Sequence, residues 1–472
     1  DVLAAGWHGA KIAWYENDGN ENFFIQESKC TYSIMDVAEM VQIYSQAFLR
    51  EEIQPHDKIL IYLPNSIEMI EIILSCFEIG AIVVPISQGF TLRELQSVIT
   101  NIQPDFIITN WGNRETFLHY SEPIAFIEEL PNSSRGCAIF SNKYDKNIDD
   151  VCAIILTSGT TGIPKAVQLT YGNFEASCNN WENFLQFKSE DQFLCCLPLH
   201  HVGGFAVVIR ALIYGFSVNL VQSFHAKEVH HAIMANPVTI ISLVPTMLKR
   251  LLNREGGLEA LKKLRYILLG GGPSPERLLD ICIHEKLPIV KVYGMTETCS
   301  GTFGLKLLEE PQSKFYAGRP FPGVKVWIKD DEIHVSGPVV MKGYLNEQET
   351  KGTHNSHDLG YLDDNDLLFL HIRRKDLIVS GGENINPMEV EECLMNINGI
   401  ADVAVVGKDD EEWGQKVIAY VVHDSVPPPN ELLDKELKKL LSAYKIPKEY
   451  IQVSLIPRNE LGKIVYEKIK SL

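Results

Sequence analysis

The chain has 472 residues, 45% hydrophobic and 22% charged, with a formal net charge of -18. It is too long for one ordinary core and has the balance of a globular protein, so about two to four domains are expected. The acidic excess argues against nucleic acid or an anionic membrane surface as the main partner, because both reward basic surfaces, but a small anion can still sit in a local basic pocket.

The ten cysteines are scattered singly apart from Cys195 and Cys196, and nowhere form the Cys-x-x-Cys spacing of a zinc or redox site. They read as reduced cysteines of a cytoplasmic protein. No secretory signal is legible at the start.

Up to about residue 370, short β-branched runs alternate with amphipathic windows, the pattern of α/β layers. "DKILIYL" leads into an apolar helical stretch carrying Glu68, Glu71 and Glu78, which make it a poor membrane span, and then into "AIVVPIS". A buried-type strand at 153–156 enters a loop containing Thr157, Ser158, Gly159, Thr160, Thr161, Gly162 and Lys165. Glycines let backbone N–H groups approach an anion, hydroxyls donate further hydrogen bonds and the lysine adds charge, so the loop reads as a phosphate cradle. It is not a Walker loop: the Gly-Lys-Ser/Thr ending is missing and a strand, "AVQLT", follows.

"LPLHHVGGFAVVIRALIYG" is an apolar helix behind His200 and His201, interrupted by Arg210. A buried guanidinium is costly unless an anion answers it. Arg210 therefore reaches the surface, pairs with an internal acid, or waits for a ligand's anion, and arginine suits a planar, bidentate one. "VTIISLV" and "PTMLKRLL" form the next strand and helix. "YILLGGGPSPERLL" then gives a strand, a turn of Gly270, Gly271 and Gly272, and a helix with Ser274 as N-cap and Pro275 at its first position. Pro275 stands where a dinucleotide fingerprint would need glycine.

From about residue 330 to 370 the pattern changes to short antiparallel strands, as in "DEIHVSG" and "DLLFLHI". The last hundred or so residues read as a separate unit. "NPMEVEECL" opens a helix with Asn386 as N-cap, Pro387 in the first turn and Glu389 at the capping-box position. Two strands, "ADVAVVG" and "KVIAYVV", a helix, a short strand and a closing helix follow. The expected domains are 1–375 and 376–472.

The string "TSGTTGIPK" resembles the signature loop of the adenylate-forming superfamily of acyl- and aryl-CoA ligases, adenylation domains and beetle luciferases. Further motifs follow in the family's order. "YGMTET" resembles the motif whose threonine meets the α-phosphate and whose glutamate binds Mg²⁺, here Thr296 and Glu297, with Tyr293 beside the nucleotide. "HDLGYLDDND" would supply Asp358 for the ribose hydroxyls, and "RRKD" Arg373 for the same ribose and Lys375 as a hinge. "SGGENINPMEVE" resembles the loop lining the thiol tunnel, through Gly381 and Gly382, and "LGKIVY" holds the family's mobile lysine, Lys463.

The resemblance implies a large N-terminal domain of layered, mostly parallel sheets with helices and a small β-rich subdomain. To it is joined a small, mobile C-terminal α+β domain. It also implies ATP with Mg²⁺, coenzyme A as co-substrate and a small-molecule acid. The triple-glycine turn would be the floor for adenine and acyl group, Gly271 touching both. His201 matches the aromatic or histidine position between acyl and nucleotide pockets, Gly204 would leave room for the acid, and Arg210 would suit an acid with a second carboxylate. Within the superfamily, the strings around His201, Met247 and Gly271 are most similar to the o-succinylbenzoate-CoA ligases of menaquinone biosynthesis. The rivals are another aryl- or fatty-acyl-CoA ligase and a non-catalytic nucleotide-binding protein on the same scaffold. A homo-oligomer is compatible with the sequence. Three departures stand out: Ser356-His357-Asp358 replaces the usual Thr-Gly-Asp, the stretch "KGTHNSHD" is several residues shorter than usual, and Ile372 precedes Arg373 where glycine or aspartate is usual.

Overall fold

A computed structural model describes residues 24–27, 30–133, 144–157, 164–272, 274–371, 377–380, 383–410, 414–423, 427–441, 443–460, 462 and 464–470. Two large sheets dominate. In the first, Val151–Thr157 (β1) pairs antiparallel with Lys165–Thr170 (β2), while β1, Ile82–Pro85, Lys58–Ile61, Phe106–Thr109 and Ile124–Phe126 run parallel. In the second, Tyr266–Leu269 (β3) and Ile289–Met295 (β4) lie parallel beside Ile240–Leu243, and Ser300–Lys306 (β5) turns back antiparallel on β4.

Between these sheets lies one continuous apolar core that includes Ile59, Phe77, Phe174, Phe205, Phe216 and Phe303. Helix Val202–Tyr214 (α1) crosses it, ten of its residues buried, and ends at Gly215 with φ 72°. Neighbouring rings in this core meet edge-on or tilted, Phe77 to Phe205 at 6.3 Å and Phe174 to Phe205 at 5.5 Å. Such arrangements add to the gain from removing apolar area from water.

A four-stranded antiparallel sheet, Lys325–Lys329, Glu332–Ser336, Thr353–Leu362 and Leu368–His371, occupies the region where the sequence pattern changes. Residues from Ile378 onward build a further sheet around Ile400–Asp410 and Gly414–His423. They have apolar cores of their own, one centred on Ile378, Val390, Val417 and Leu433 and another on Ala404, Ile418 and Ile469. The expected boundary at Lys375 and Asp376 lies outside the described residues.

Two helix starts differ in detail from expectation. The helix expected after Ser274 begins at Glu276 and runs to His284 (α2), with Pro275 at the cap position and no side-chain cap of its own. Its first N–H is accepted instead by the carboxylate of Glu392, at 2.7 Å, from helix Pro387–Met395 (α3) of the C-terminal unit. Asn386 does cap α3, accepting from the Met388 N–H at 2.9 Å. Glu389 pairs with Lys445 rather than closing a capping box, because an ammonium is the stronger partner for its carboxylate.

The apolar stretch with three glutamates is helix Ile67–Ile79, inside the core and capped by Ser66. No described helix is long and apolar enough to cross a membrane. Glu71, 4% exposed, is pushed up to about 8 by burial and by the nearby charges of Glu68 and Glu27. The folded state therefore holds a proton that the unfolded state releases above its ordinary value, and this contribution to stability fades as pH rises between about 4.5 and about 8. Glu71→Gln is expected to melt close to wild type near pH 5 and to be more stable by at least about 1 kcal/mol near pH 8.5, in paired thermal melts.

Candidate active site

The site is built where β1, β2, β4, β5 and α1 bring their ends together. Thr157 and Lys165 face each other as the last and first residues of β1 and β2, so the hairpin fixes both ends of the cradle loop. Ser158, Gly159, Thr160, Thr161 and Gly162 lie outside the described residues. The Lys165 ammonium sits 4.5 Å from the Tyr344 ring centroid, and the Tyr344 hydroxyl donates to Glu297 Oε1 at 2.9 Å. A cation, an aromatic ring and a half-buried carboxylate thus form one connected line. His354 packs edge-on against Tyr344 with centroids 6.4 Å apart, and burial lowers its pKa, partly opposed by the Glu297 charge.

Glu297 is carried by a short 3-10 turn, Thr296–Thr298, between β4 and β5. The turn closes tightly because Cys299 and Ser300 adopt φ of 52° and 90° and because residue 294 is glycine. A Cβ at Gly294 would lie 2.1 Å from the Ser300 carbonyl, so any side chain there would force the strands apart. Tyr293, at the bulge in β4, donates to Asp358 Oδ2 at 2.7 Å. Ser356, which departs from the family pattern, donates to the Ile333 carbonyl at 2.8 Å and accepts the Asp358 N–H at 3.1 Å, so it too fixes the stretch of strand Thr353–Leu362 that holds Asp358.

The glycine turn follows β3. Gly271 has φ 78°, and a Cβ there would lie 3.0 Å from Val244; Gly270 is similarly close, 3.1 Å, to the Val292 carbonyl, whereas Gly272 faces open space. Gly204 differs from expectation. A Cβ on it would lie 2.4 Å from the Pro198 carbonyl and 2.6 Å from that of Leu197, so its missing side chain lets α1 approach the preceding turn and does not make room for an acid. Asn65 holds that turn, accepting the Leu199 N–H at 2.8 Å and donating to the Leu197 carbonyl at 3.1 Å. The turn presents His200 and His201, whose rings lie 4.4 Å apart, with His201 at the cap position of α1.

Arg210, two turns into α1, is 2% exposed. It neither reaches the surface nor forms an ion pair with a carboxylate among the described residues. Its Nη2 donates to Ser300 Oγ at 2.6 Å, its guanidinium lies 4.6 Å from the Trp181 ring centroid, and its Nε has no hydrogen-bond partner among the described residues. Burial lowers its pKa to about 10, which leaves it cationic at neutral pH. Ser300 also receives the Trp181 indole N–H at 3.2 Å. Trp181, Ser300, Tyr344 and His354 were not legible as site residues. Single aromatic, hydroxyl or imidazole side chains carry no spacing signal, and only the fold brings them to Arg210 and Glu297.

Lys463, Arg373, Lys375, Gly381 and Gly382 lie outside the described residues. Glu460, three positions before Lys463, is described. Its Oε2 lies 2.7 Å from His200 Nε2 and it also accepts from Ser87 Oγ. The first of these contacts and, less strongly, the second hold its pKa down at about 2 against the opposing effect of burial.

The arrangement is that of a nucleotide-dependent, acid-activating site. Residues 13–345 match the model of the AMP-binding enzyme family and residues 389–463 that of the AMP-binding enzyme C-terminal domain; the chain belongs to this family. It is 35% identical over 458 residues to a 2-succinylbenzoate--CoA ligase of Oceanobacillus iheyensis, covering 94% of each chain. Its fold matches o-succinylbenzoate CoA synthetase from Bacillus subtilis in complex with the acyl-adenylate intermediate, with TM-score 0.88, 30% identity and 97% of both chains covered. The same Bacillus enzyme with ATP and magnesium ion matches with TM-score 0.87 at 30% identity, covering 97% of this chain and 99% of that one.

Because Arg210 is buried with one N–H unanswered, it should weaken the unliganded fold. Arg210→Met, which fills a similar volume without charge, is expected to raise the stability of the ligand-free protein by about 1–4 kcal/mol in denaturant titrations. A loss of stability would mean that Ser300 and Trp181 already repay the burial in full.

Proposed function

We propose that the chain is an ATP-dependent ligase that adenylates o-succinylbenzoate and passes the acyl group to coenzyme A, releasing AMP and pyrophosphate, as a cytoplasmic step of menaquinone biosynthesis. The observation that carries the substrate is Arg210: a buried cation answered by a hydroxyl and an indole face is poised for a carboxylate that is not the one being activated. An aromatic dicarboxylic acid offers one carboxylate for chemistry and one for this site.

Glu297 fits Mg²⁺, being a half-buried hard oxygen ligand aimed by Tyr344 and carried on the tight turn Thr296–Thr298. When bound, the ion neutralises phosphate charge. Lys165 and the hydroxyls of the cradle loop hold the phosphates, and Thr296 reaches the α-phosphate. Asp358, oriented by Tyr293, accepts the ribose hydroxyls with Arg373 beside it. The acid's carboxylate attacks the α-phosphorus and pyrophosphate leaves, Lys463 stabilising charge that develops in the transition state. His201, Gly271 and the apolar wall of α1 keep water from the mixed anhydride. The thiol of coenzyme A then loses its proton and attacks the acyl carbon, and AMP departs. Between the two steps the unit 376–472 turns about Lys375, withdrawing Lys463 and bringing Gly381 and Gly382 to the thiol path.

The decisive experiment supplies ATP, Mg²⁺ and coenzyme A with a panel of acids and scores acyl-CoA by mass. Turnover confined to o-succinylbenzoate and close dicarboxylates is expected. A preference for fatty or monocarboxylic aryl acids would transfer the chain to the other acyl-CoA ligases, and ATP binding without AMP from any acid would make it a binding protein. Arg210→Ala should raise KM for the dicarboxylate by about 100-fold while changing KM for its monocarboxylate analogue little, since a buried charge-assisted pair is lost only with the former. Lys463→Ala should leave ATP affinity nearly intact and cut adenylation by about three orders of magnitude, read by acid-dependent exchange of pyrophosphate into ATP.

A further inference from the structure

The turn 459–462 is gripped from both sides. From the C-terminal unit, the Arg458 guanidinium forks onto Asp402 at 2.6 and 3.2 Å and donates to the Gly462 carbonyl at 2.9 Å. The Gly462 N–H closes the turn onto the Asn459 carbonyl at 2.8 Å, with Gly462 at φ 72°. From the N-terminal part, the Glu460 carboxylate is seated between His200 and Ser87. The Ser87 hydroxyl is oriented by accepting the Gly89 N–H at 3.0 Å. The fit leaves no slack: a Cβ on Gly89 would lie 2.7 Å from Glu460 Oε1, and a Cβ on Gly462 would lie 2.3 Å from Thr246 Oγ1.

His200 belongs to the same turn as His201, and Thr246 is the second residue of the helix Pro245–Leu252 that follows Ile240–Leu243. The receptor for Glu460 is therefore part of the acid-binding wall itself. Imidazole and carboxylate groups of His200, His201 and Glu460 lie within 4.8 Å of one another, a spacing that a cation could also use. However, both Glu460 oxygens already have partners, one from each of two N-terminal elements. A contact that joins two separately built units at one carboxylate fixes their register.

We propose that Glu460 is a positioning residue for adenylation: seated between Ser87 and His200, it holds Asn459, Glu460 and Gly462, the described residues just before Lys463, against the N-terminal part. The inference rests on the assignment of Lys463 to the adenylation step. Arg458 ties the turn to its own unit, so the turn moves with that unit as one piece. The Glu460 contacts are the ones that must break when the unit rotates, so they serve the first half-reaction and not the second.

The test separates the two halves. In Glu460→Ala, acid-dependent exchange of pyrophosphate into ATP should fall about tenfold through kcat, with KM for ATP little changed, while thioester formation from supplied acyl-adenylate and coenzyme A keeps its wild-type rate. Adding His200→Ala to it should cost no more than Glu460→Ala alone, because the imidazole acts through that carboxylate. Glu460→Gln, which keeps the hydrogen bond from Ser87, should recover part of the loss. Equal losses in both halves would make Glu460 merely structural, and undiminished exchange would remove the role altogether. If no acid supports pyrophosphate exchange by the wild-type chain, adenylation itself fails, an outcome distinct from failure of the pin.

Discussion

The guanidinium of Arg210 is the constraint around which the interior between the two large sheets is organised. Helix α1 is apolar because it runs between two sheets, and a cation in its middle cannot escape to water as a surface arginine would. The fold answers it in part, with the Trp181 face and the Ser300 hydroxyl, and leaves Nε without a partner among the described residues. An internal carboxylate would have satisfied the charge and closed the site. Partial satisfaction leaves the charge available for a further partner, at a cost to the stability of the fold.

Ser300 can do this only because of strained backbone at the start of β5. With φ of 90° it lies off the ordinary strand path, and the turn that holds it there also carries Glu297. One tight connection between β4 and β5 thus carries both the Glu297 carboxylate and the hydroxyl that answers Arg210. Gly294 makes that connection possible by removing a Cβ that would collide with the Ser300 carbonyl. Reaction centres need such fixed spacing between opposite charges, since misplacement by an ångström weakens electrostatic stabilisation of a developing charge.

Much of this was legible in the chain. The α/β layering, the antiparallel region after residue 330 and the separate final unit follow from periodicity, and the residues that the motifs single out do converge: Lys165 with Glu297 through Tyr344, and Tyr293 with Asp358. What escaped were contacts that only the folded chain makes, several of them between segments remote in sequence. Ser274 reads as a helix cap, yet the orphan N–H of α2 goes to Glu392, 116 positions away. Gly204 reads as space for a ligand, yet its freedom is used by two backbone carbonyls of the preceding turn. Local rules describe what a residue can do, and the tertiary fold decides which neighbour claims it.

Those remote contacts share a character that bears on motion. The C-terminal unit has apolar cores of its own. The contacts by which it touches the rest of the chain include carboxylates on donors: Glu392 on the start of α2, Glu460 on Ser87 and His200. Burying apolar area on both sides would have given a permanent joint, at roughly 25 cal/mol for each Å² removed from water. Partly exposed ion pairs are worth about 0–1 kcal/mol, since water replaces the partner when they open. A joint made this way is specific in register and cheap to break. That combination is what a unit needs if it must dock one lysine accurately for one step and leave before the next.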